Sequence, residues 1–584
     1  MRSRARIGAT AMRLAGIYVL LALACMACRD GTRQLATLRD GYVDEWIRFY
    51  PTAASSMGDR SAASRFEDCS ADSVSRWIAT NHGLLRNLEA LGSDLSLDDR
   101  IDARLLRRNA ELEIETWERD DVLSTSPVFY ADAIQGSVVH LIARGNLGAK
   151  EMAGALGARM VGVRQLCRIG VATLRDGRPS STDWSLRSLD ASAGFFAESL
   201  PDLCASWAEG PALAELRRES AATAESVRAL EHHIRDRVLP ATTLGDPLGY
   251  ETYARKLRAY IGFELAPKDL ASLAAEEIDA ATAEIHSAAA SYVTHAYPDR
   301  ARAMAPRAKL SLAFADLESR RVADSRSLLD EYRRQAAQAE VFIRDRRIAP
   351  LPLPRALTIE LSPPQLLGWG GVSSPGPFAP DEATLFFLPW VPDSAGAEAR
   401  DAFYRSFNLP FIAMITAHEL LPGHYVHGRL AARNPRVVRS LFADGCYVEG
   451  WATMAEQIML EAGWGDGDPL VRLVNLRKRL ENGVRALLSV RAHCDQWDRA
   501  RTTEYAVETG LMPPQFANYL WPRLANGPFQ LVTYFLGHRA FREAYAAEQA
   551  RLGPRFVVYD FCERALVAGT APVDEVAAIV EAQR

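Results

Sequence analysis

Residues 268–293 read KDLASLAAEEIDAATAEIHSAAASYV, and their apolar side chains recur at every third or fourth position. That period is typical of an α-helix that turns one face toward the core of a protein. The pattern therefore predicts a long amphipathic helix. Its buried stripe comprises Leu270, Leu273, Ala274, Ile278, Ala281 and Ile285.

The same helical period extends outward from this segment in both directions. It covers about residues 33–345, with breaks at clusters of Gly, Pro and Asp, and it resumes from about residue 405 to the C-terminus. Between these parts, residues 357–361 alternate as a strand does, and a Gly-rich loop separates them from the apolar run 385–388. The sequence therefore predicts a mainly α fold, one large helical body with a small β element at about 357–391.

The composition is that of an ordinary folded protein. Of the 584 residues, 48% are hydrophobic and 24% are charged, which disfavours a disordered chain and a membrane protein with many spans. The formal net charge is -5, so the overall charge gives no reason to expect nucleic acid as a partner. No repeat of fixed period is present, and this argues against a solenoid.

The first 28 residues predict an export signal. They begin with several Arg residues and continue with the apolar run 14–27, which is too short for a comfortable membrane span. Cys25 and Cys28 close the run. Ordinary cleavage and attachment of a lipid to one of these Cys residues both remain open, and an uncleaved anchor is a third alternative. The predicted location is the periplasm, or a membrane-anchored lipoprotein that faces the periplasm or the outside.

Six further Cys residues are scattered along the chain and form no CxxC pair, which gives no support to a zinc ribbon or a thioredoxin-type site. Both disulfides in an oxidising compartment and buried free thiols fit their spacing. These residues are Cys69, Cys167, Cys204, Cys446, Cys494 and Cys562.

The richest motif is TAHELLPGHYVH at residues 416–427, which holds three of the 11 His residues of the chain. A His-Glu pair on an apolar helix, followed by another His, is typical of zinc peptidases, in which two imidazoles bind the metal and the Glu activates water. His418 and His424 are six residues apart, however, and on a straight helix they would point roughly 240° apart. Pro422 and Gly423 lie between them. These two residues predict that the helix stops and that a sharp turn returns His424 to His418.

A third ligand is expected, because catalytic zinc sites use three protein ligands and keep one position open. The segment YVEGWATMAE contains Glu449 and Glu456, which lie within about 20° of each other on a helix. Two carboxylates on an apolar helical face are costly unless they are paired or bound to a metal. We predict that His418, His424 and Glu449 bind the metal. We interpret Glu456 as a partner that orients an imidazole, and His427 as an orienting or core residue.

These motifs resemble those of the bacterial "domain of unknown function 885" family, whose members look like distant relatives of helical zinc peptidases. The resemblance rests on HExxPGH at 418–424 and EGWAxxAE at 449–456, and it continues with RxxxxPxQxxxYxxG at 523–537. It covers about residues 245–580 well and the N-terminal part only by its helical character. It implies a helical body with a deep cleft, a zinc ion on the floor of the cleft next to the β element, and hydrolysis of peptide bonds. The domains expected on this basis are a leader (1–28), an N-terminal helical region (33–245) and a metallopeptidase-like region (246–584).

The roles of individual residues follow from the resemblance by position. It implies that His418, His424 and Glu449 hold one zinc ion per chain and that Glu419 is the general base. It also implies that Tyr534 donates a hydrogen bond to the oxyanion, although a packed Tyr is an equally good interpretation.

Further candidates and several departures concern the C-terminal part. His493 is a second catalytic candidate, and Arg485 is a candidate for binding a peptide carboxylate or for a surface salt bridge. The chain has His427 where the family usually has Gln, Ser489 where it has Asp, and Cys562 where it has a His near the C-terminus. If that His stabilises the transition state, Cys562 is a poor substitute and impairs activity.

The sequence therefore predicts an exported zinc metallopeptidase that hydrolyses short peptides. The departures leave an alternative, a zinc-containing lipoprotein that is weakly active or inactive and binds peptides as a scaffold. A hydrolase of esters or non-peptide amides is a third reading, since zinc chemistry is not restricted to peptides. We also expect residues 385–388 to pair with an extended substrate as an edge strand. The expected partners are short peptides and, through a lipidated Cys, a membrane; the oligomeric state stays open.

Overall fold

The computed structural model describes residues 31–91, 95–363 and 370–582. The predicted leader, residues 1–28, lies outside these ranges. Within them, helices follow one another along almost the whole chain, and one three-stranded sheet interrupts them. The predicted fold class, mainly α with a small β element, is confirmed.

The helices before residue 245 share a hydrophobic core of their own. Aromatic rings are prominent in it, and Phe49 stacks on Trp77 with their ring centroids 5.0 Å apart. The helices are residues 31–49 (α1), Pro51–Ser56 (α2), Ala71–Glu89 (α3), Leu97–Ile114 (α4), Val122–Thr125 (α5), Pro127–Arg144 (α6), Ala149–Thr173 (α7), Pro179–Gly194 (α8), Leu200–Leu203 (α9), Gly210–His233 (α10) and Leu239–Ala241 (α11).

The helices that follow surround a second core, to which α4 also contributes. Before the sheet they are Tyr250–Ile261 (α12), Pro267–Ala296 (α13), Pro298–Ala301 (α14), Pro306–Ser319 (α15) and Ser325–Arg346 (α16). After it come Ala397–Ser406 (α17), Leu409–Glu419 (α18), His424–Ala432 (α19), Val438–Leu441 (α20), Gly445–Glu461 (α21), Pro469–Cys494 (α22), Arg499–Glu508 (α23), Pro514–Asn526 (α24), Pro528–Leu552 (α25), Val558–Val567 (α26) and Val576–Glu581 (α27).

The long amphipathic helix predicted from residues 268–293 is α13. Its predicted stripe is buried except at Leu273, which is half-buried, and the helix packs along α22. The predicted division of the chain at residue 245 stays a prediction. Residue 245 does lie between α11 and α12, but Val438 and Leu441 of α20 join the first core.

The sheet consists of Leu357–Leu361 (β1), Gly371–Ser373 (β2) and Thr384–Leu388 (β3), in the order β1-β3-β2. Strand β3 is parallel to β1 and antiparallel to β2. Strand β3 is therefore the central strand, and its backbone groups are used on both sides. The prediction that residues 385–388 act as an edge strand for substrate is wrong for this reason. The edge on that side belongs to β2, whose three residues are too few to show a strand pattern in the sequence.

Two sets of polar contacts tie the first group of helices to the region around the sheet and α20. Arg144, at the end of α6, donates hydrogen bonds to the carbonyl oxygen of Ala383 at 3.1 Å and to Oγ of Ser373 at 3.2 Å. Asp102 of α4 accepts a hydrogen bond from Nε of Arg439 at 2.9 Å, and both side chains are buried. These contacts hold β2 and α20 in place beside the site described next.

The six Cys residues outside the predicted leader carry free thiols. Cys494 is partly exposed and the others are buried, so the free-thiol alternative is the one that the structure shows. Across the described residues, no helix combines the length and the apolar character that crossing a membrane requires.

Candidate metal centre

The chain turns sharply between the two His residues of the motif, as predicted. Helix α18 ends at Glu419 and α19 begins at His424. Gly423 is required in this turn, because a Cβ atom at that position would collide with the carbonyl oxygen of His418. The turn brings the rings of His418 and His424 to 4.8 Å between centroids, with their planes nearly perpendicular at 87°.

Replacing Gly423 by Ala is expected to destroy this arrangement. The added Cβ atom would overlap backbone atoms of Ala417 and His418, which cannot move aside as the end of a flexible side chain can. The turn then has to open, and His424 leaves His418. We expect the purified Gly423→Ala protein to contain no zinc by elemental analysis and to unfold at a lower temperature.

A matched control is Gly154→Ala. Gly154 lies on the exposed side of α7, and a Cβ atom there would meet nothing within 4 Å. Ala is a better helix former than Gly, so this variant should keep its zinc and its stability. If Gly423→Ala binds as much zinc as the wild-type protein, the turn does not require a residue without a side chain at position 423.

Three side chains place ligand atoms around one point. Glu449, on α21, places Oε2 3.4 Å from Nε2 of His424 and 3.6 Å from Nε2 of His418. The three ligand atoms all lie within 4.8 Å of one another. Around a tetrahedral zinc ion with bonds of about 2.1 Å, ligand atoms are about 3.4 Å apart. The two measured distances are close to that spacing and are long for direct hydrogen bonds.

The donor set has an unsatisfied atom that fits a metal. Oε2 of Glu449 is buried, and no hydrogen-bond donor reaches it among the described residues. Unpartnered carboxylate oxygens are rare in protein interiors, because burial removes the water that would solvate them. Two imidazoles and one carboxylate also form a donor set that occurs in catalytic zinc sites. The residues present therefore fit a zinc ion.

The His and Glu side chains of the site stabilise each other's charged forms. Burial alone would lower the pKa of His418, but the carboxylates of Glu449 and Glu456 outweigh it and raise the pKa to about 10. Burial alone would raise the pKa of Glu449, but His424 and His418 outweigh it and lower the pKa. The site thus stabilises positive charge beside its carboxylates, which is the electrostatic condition for holding a cation.

Glu456 contacts one of the predicted ligands. Its Oε1 lies 2.8 Å from Nδ1 of His418, so Nε2 of that ring is the atom directed at Glu449. The other oxygen, Oε2, accepts a hydrogen bond from Nδ2 of Asn475 at 2.8 Å. Asn475 had not been singled out from the sequence. The only signal for it was a polar residue among the largely buried positions of α22.

Replacing Glu456 by Gln is expected to weaken zinc binding about 10- to 100-fold, the usual effect of removing a partner that orients a ligand. The amide retains the size of the side chain but loses the charge that stabilises the Nδ1 hydrogen of His418. Competition with a chromophoric chelator would measure the affinity. Glu461→Gln, at an exposed position on the same helix, should leave it unchanged. Equal zinc affinities in the two variants would show that Glu456 does not contribute to zinc binding.

The predicted ligands line a cavity of about 440 Å³, called the metal cavity here. Its wall includes His418, Glu419, His424, Glu449 and Tyr534. Glu419 also lines a second cavity of about 460 Å³. The predicted general base therefore lies where two cavities meet, beside the predicted ligands.

Tyr534 lines the metal cavity, and its hydroxyl group accepts one hydrogen bond there. Its ring lies 6.5 Å from that of His418 between centroids and is nearly parallel to it. The phenol oxygen accepts a hydrogen bond from Nε2 of Gln530 at 2.9 Å, which leaves the phenol hydrogen available to donate. Burial, aided by the charge of Glu449, raises the pKa of Tyr534 to about 12, so the group stays protonated at neutral pH.

The structure does not bring His493 to the cavity. Its Nε2 bonds the carbonyl oxygen of Leu524 at 2.9 Å, and its Nδ1 accepts a hydrogen bond from the backbone of Leu248 at 3.3 Å. The ring also lies against Tyr253, with the centroids 5.8 Å apart. Both ring nitrogens are engaged by backbone groups, so His493 packs α12 and α24 against α22. Its predicted catalytic role is corrected to a structural one.

Two other residues that were noted from the sequence have clear positions. His427 lines the metal cavity, is buried, and places Nε2 3.3 Å from the carbonyl oxygen of Gly569. Burial lowers the pKa of His427 to about 4, so it stays neutral. Cys562 is buried in α26 and is not one of the described residues that line the metal cavity.

Comparisons with known proteins agree with this fold. Residues 51–580 match the model of a family described as "Bacterial protein of unknown function (DUF885)". No curated protein matches the chain.

Two solved structures are similar over nearly their whole length, and both are provisionally described as lipoproteins. One is from Shewanella oneidensis and is of unknown function, with a TM-score of 0.77, 19% identity, and coverage of 94% of this chain and 100% of that one. The other is from Colwellia psychrerythraea, with a TM-score of 0.74, 15% identity, and coverage of 94% and 98%. At these identities the likeness shows a shared fold.

Proposed function

We propose that this chain, which belongs to the DUF885 family of bacterial proteins, is an exported zinc-dependent peptidase. The observation that carries the proposal is the convergence of His418, His424 and Glu449 around the unpartnered Oε2 atom, with Glu419 on the wall of the same cavity. The three predicted ligands alone would also be compatible with a metal that has only a structural role. A carboxylate next to it, in a cavity, indicates chemistry on a bound molecule.

When bound, zinc supplies Lewis acidity that polarises a carbonyl group and lowers the pKa of water toward 7. His418, His424 and Glu449 are the residues that would hold it. Glu419 is not one of these three ligands and, as the last residue of α18, is half-buried at the cavity wall. Its carboxylate can therefore take a proton from the attacking water and pass it to the departing amine.

Tyr534 has the properties of a donor to the oxyanion. The hydrogen bond from Gln530 fixes its oxygen as an acceptor on one side, so its own hydrogen can point into the metal cavity. Because the hydroxyl stays protonated at neutral pH, it can stabilise negative charge that develops on the carbonyl oxygen of the substrate.

The position of Cys562 favours an active enzyme over an inactive scaffold. The departure from the family pattern at this residue lies in α26, while the predicted ligands and Glu419 are present and line the metal cavity. We therefore expect catalysis to survive the replacement. We expect the substrates to be short peptides, since the two cavities that meet at Glu419 are of about 440 and 460 Å³.

The proposed location is outside the cytoplasm, either free in the periplasm or attached through a lipid on Cys25 or Cys28. Two observations support it. The first 28 residues have the pattern of an export signal. The two similar structures are both described as lipoproteins.

The function is tested with a mixture of short peptides, whose products are identified by mass spectrometry. The zinc-loaded protein should cleave part of the mixture, a chelator should abolish cleavage, and added zinc should restore it. Magnesium, which prefers oxygen ligands, should not restore it. A protein that carries one zinc per chain and cleaves no peptide would contradict the proposal.

A further inference from the structure

The second cavity at Glu419, called the cationic cavity here, has an unusual set of charges. Its wall includes the side chains of Arg477, Lys478, Arg485 and Arg523. The carboxylates on the same wall are those of Glu419 and Glu481. The rest is largely apolar, and its aromatic side chains are Tyr332, Phe386, Phe387, Phe407, Phe411 and Phe516.

The positive charges exceed the carboxylates available to them. Arg477 and Arg485 share Glu481, at 3.8 Å and 3.4 Å. Nε of Arg485 is buried without a hydrogen-bond partner within the described ranges. Lys478 makes no ion pair or hydrogen bond with any residue that the structure describes. Among the described residues, Arg523 donates only to a neutral amide, Oε1 of Gln530, at 2.7 Å.

These cations lie a short distance from Tyr534, which lines the metal cavity. Cζ of Arg485 is 5.6 Å from the centroid of the Tyr534 ring and Nζ of Lys478 is 5.9 Å from it. The ring of His418, one of the predicted ligands, is 6.5 Å from the same centroid. Each step is about the length of two extended residues, so the whole path spans at most about four.

We propose that the cationic cavity binds a carboxylate of the substrate, and that this carboxylate belongs to the C-terminus of a short peptide; the inference rests on the proposed peptidase function. Lys478 and Arg485 are the principal contacts. A carboxylate there satisfies the free Nε of Arg485 and the unpaired ammonium of Lys478 at the same time. Every peptide has a C-terminal carboxylate, so such a site selects chain length rather than sequence.

The surroundings of Lys478 support this assignment. Burial and the neighbouring charge of Arg485 lower the pKa of Lys478 to about 8. Burial also lowers the pKa of the Arg485 guanidinium. Both cations are therefore held in the cavity at a cost that a bound anion removes. The apolar wall beside them increases the effect, because a charge pair is stronger where water is excluded.

The test measures peptide binding to zinc-loaded Glu419→Gln protein, so that bound peptide is not consumed. Three peptides share one sequence except at the last position of the third. The first ends in a free carboxylate, the second in an amide, and the third in an amide but with Asp as its last residue. We expect calorimetry to show that the free acid binds at least about tenfold more tightly than the amide, an ordinary difference for one charged contact.

Two variants test whether Lys478 causes the preference for the free acid over the amide. Lys478→Met in the same background should reduce the ratio between acid and amide to below about threefold, whereas Lys268→Met, at an exposed position on α13, should leave it unchanged. Arg523→Met provides a second probe if Lys478→Met fails to fold, because its side chain is exposed and its loss should also lower the ratio.

Each outcome decides the matter. Tight binding of the free acid alone supports recognition of the C-terminus. If the Asp amide binds equally tightly, the site accepts any carboxylate at the end of the peptide, and the assignment to the C-terminus is overturned. Equal affinity for all three peptides overturns the inference. If the wild-type protein cleaves none of the peptides while the acid preference persists, the peptidase proposal fails and the carboxylate site stands. If the wild-type protein cleaves the peptides but shows no preference for the free acid, the peptidase proposal stands and the carboxylate site fails.

Discussion

Replacement of Glu419 by Gln should lower kcat by about 10²- to 10⁴-fold, the range typical of a lost general base, while zinc remains bound. The amide has the shape of the carboxylate but cannot accept the proton of the attacking water. The three predicted ligands are untouched by the change, because Glu419 is not one of them. The measurement combines steady-state kinetics on a cleaved peptide with elemental analysis of the same protein sample.

The control for this variant is Glu461→Gln, which removes one carboxylate at an exposed position on α21. It should retain wild-type kcat and zinc. If Glu419→Gln keeps both zinc and turnover, the proton-transfer role has to be given to another group. If it loses zinc, Glu419 contributes to the metal site itself, and the division of roles between ligand and base is wrong.

The second large effect is expected at the carboxylate ligand. Glu449→Ala should lose zinc, turnover and the stability that zinc confers. A ligand that binds only the folded protein stabilises it by about 4 kcal/mol when present at 1,000 times its dissociation constant. Thermal unfolding of the wild-type protein should therefore shift upward with zinc and downward with a chelator, whereas unfolding of Glu449→Ala should respond to neither.

Glu461→Ala is the matched control, since it removes a Glu of the same helix far from the predicted ligands along the chain. It should show the wild-type response to zinc. A Glu449→Ala protein that still gains stability from zinc and keeps one ion per chain would show that the metal lies elsewhere. In that case the unpartnered Oε2 atom of Glu449 would need another explanation.

The arrangement of the candidate metal site could be predicted from the sequence because its features are local. Pro422 and Gly423 predict the end of a helix, and the spacing of Glu449 and Glu456 places both carboxylates on one face of a later helix. Each conclusion needs only the geometry of one or two turns of helix. The structure places these residues as expected, with Glu456 against Nδ1 of His418.

Features that depend on distant parts of the chain could not be predicted in the same way. Strand β2 has three residues, and its place at the edge of the sheet follows from pairing with β3 rather than from its own pattern. Asn475 reaches Glu456 only because α21 and α22 pack together. His493 has a suggestive residue type and spacing, but its partners, Leu248 and Leu524, come from remote segments.

The cationic cavity illustrates the same limit. In the sequence, Arg477 and Lys478 look like the charged, solvated face of a helix, because runs of Arg and Lys usually are, and Arg485 fits either a peptide carboxylate or a surface salt bridge. Only the packing of β3 and α18 opposite this stretch of α22 turns that face into the wall of a cavity. The excess of positive charge can be interpreted only when the cavity and the neighbouring Tyr534 are known.

The central claim, that the Pro-Gly turn assembles a zinc site, is tested most directly by the metal content of the purified protein. The wild-type protein and His418→Ala are prepared without chelators, supplied with zinc and freed of excess metal. We predict about one zinc per chain in the wild type, as three ligands around one open position require, and none in the variant. No zinc in the wild-type protein after this treatment would contradict the account and with it the proposed peptidase.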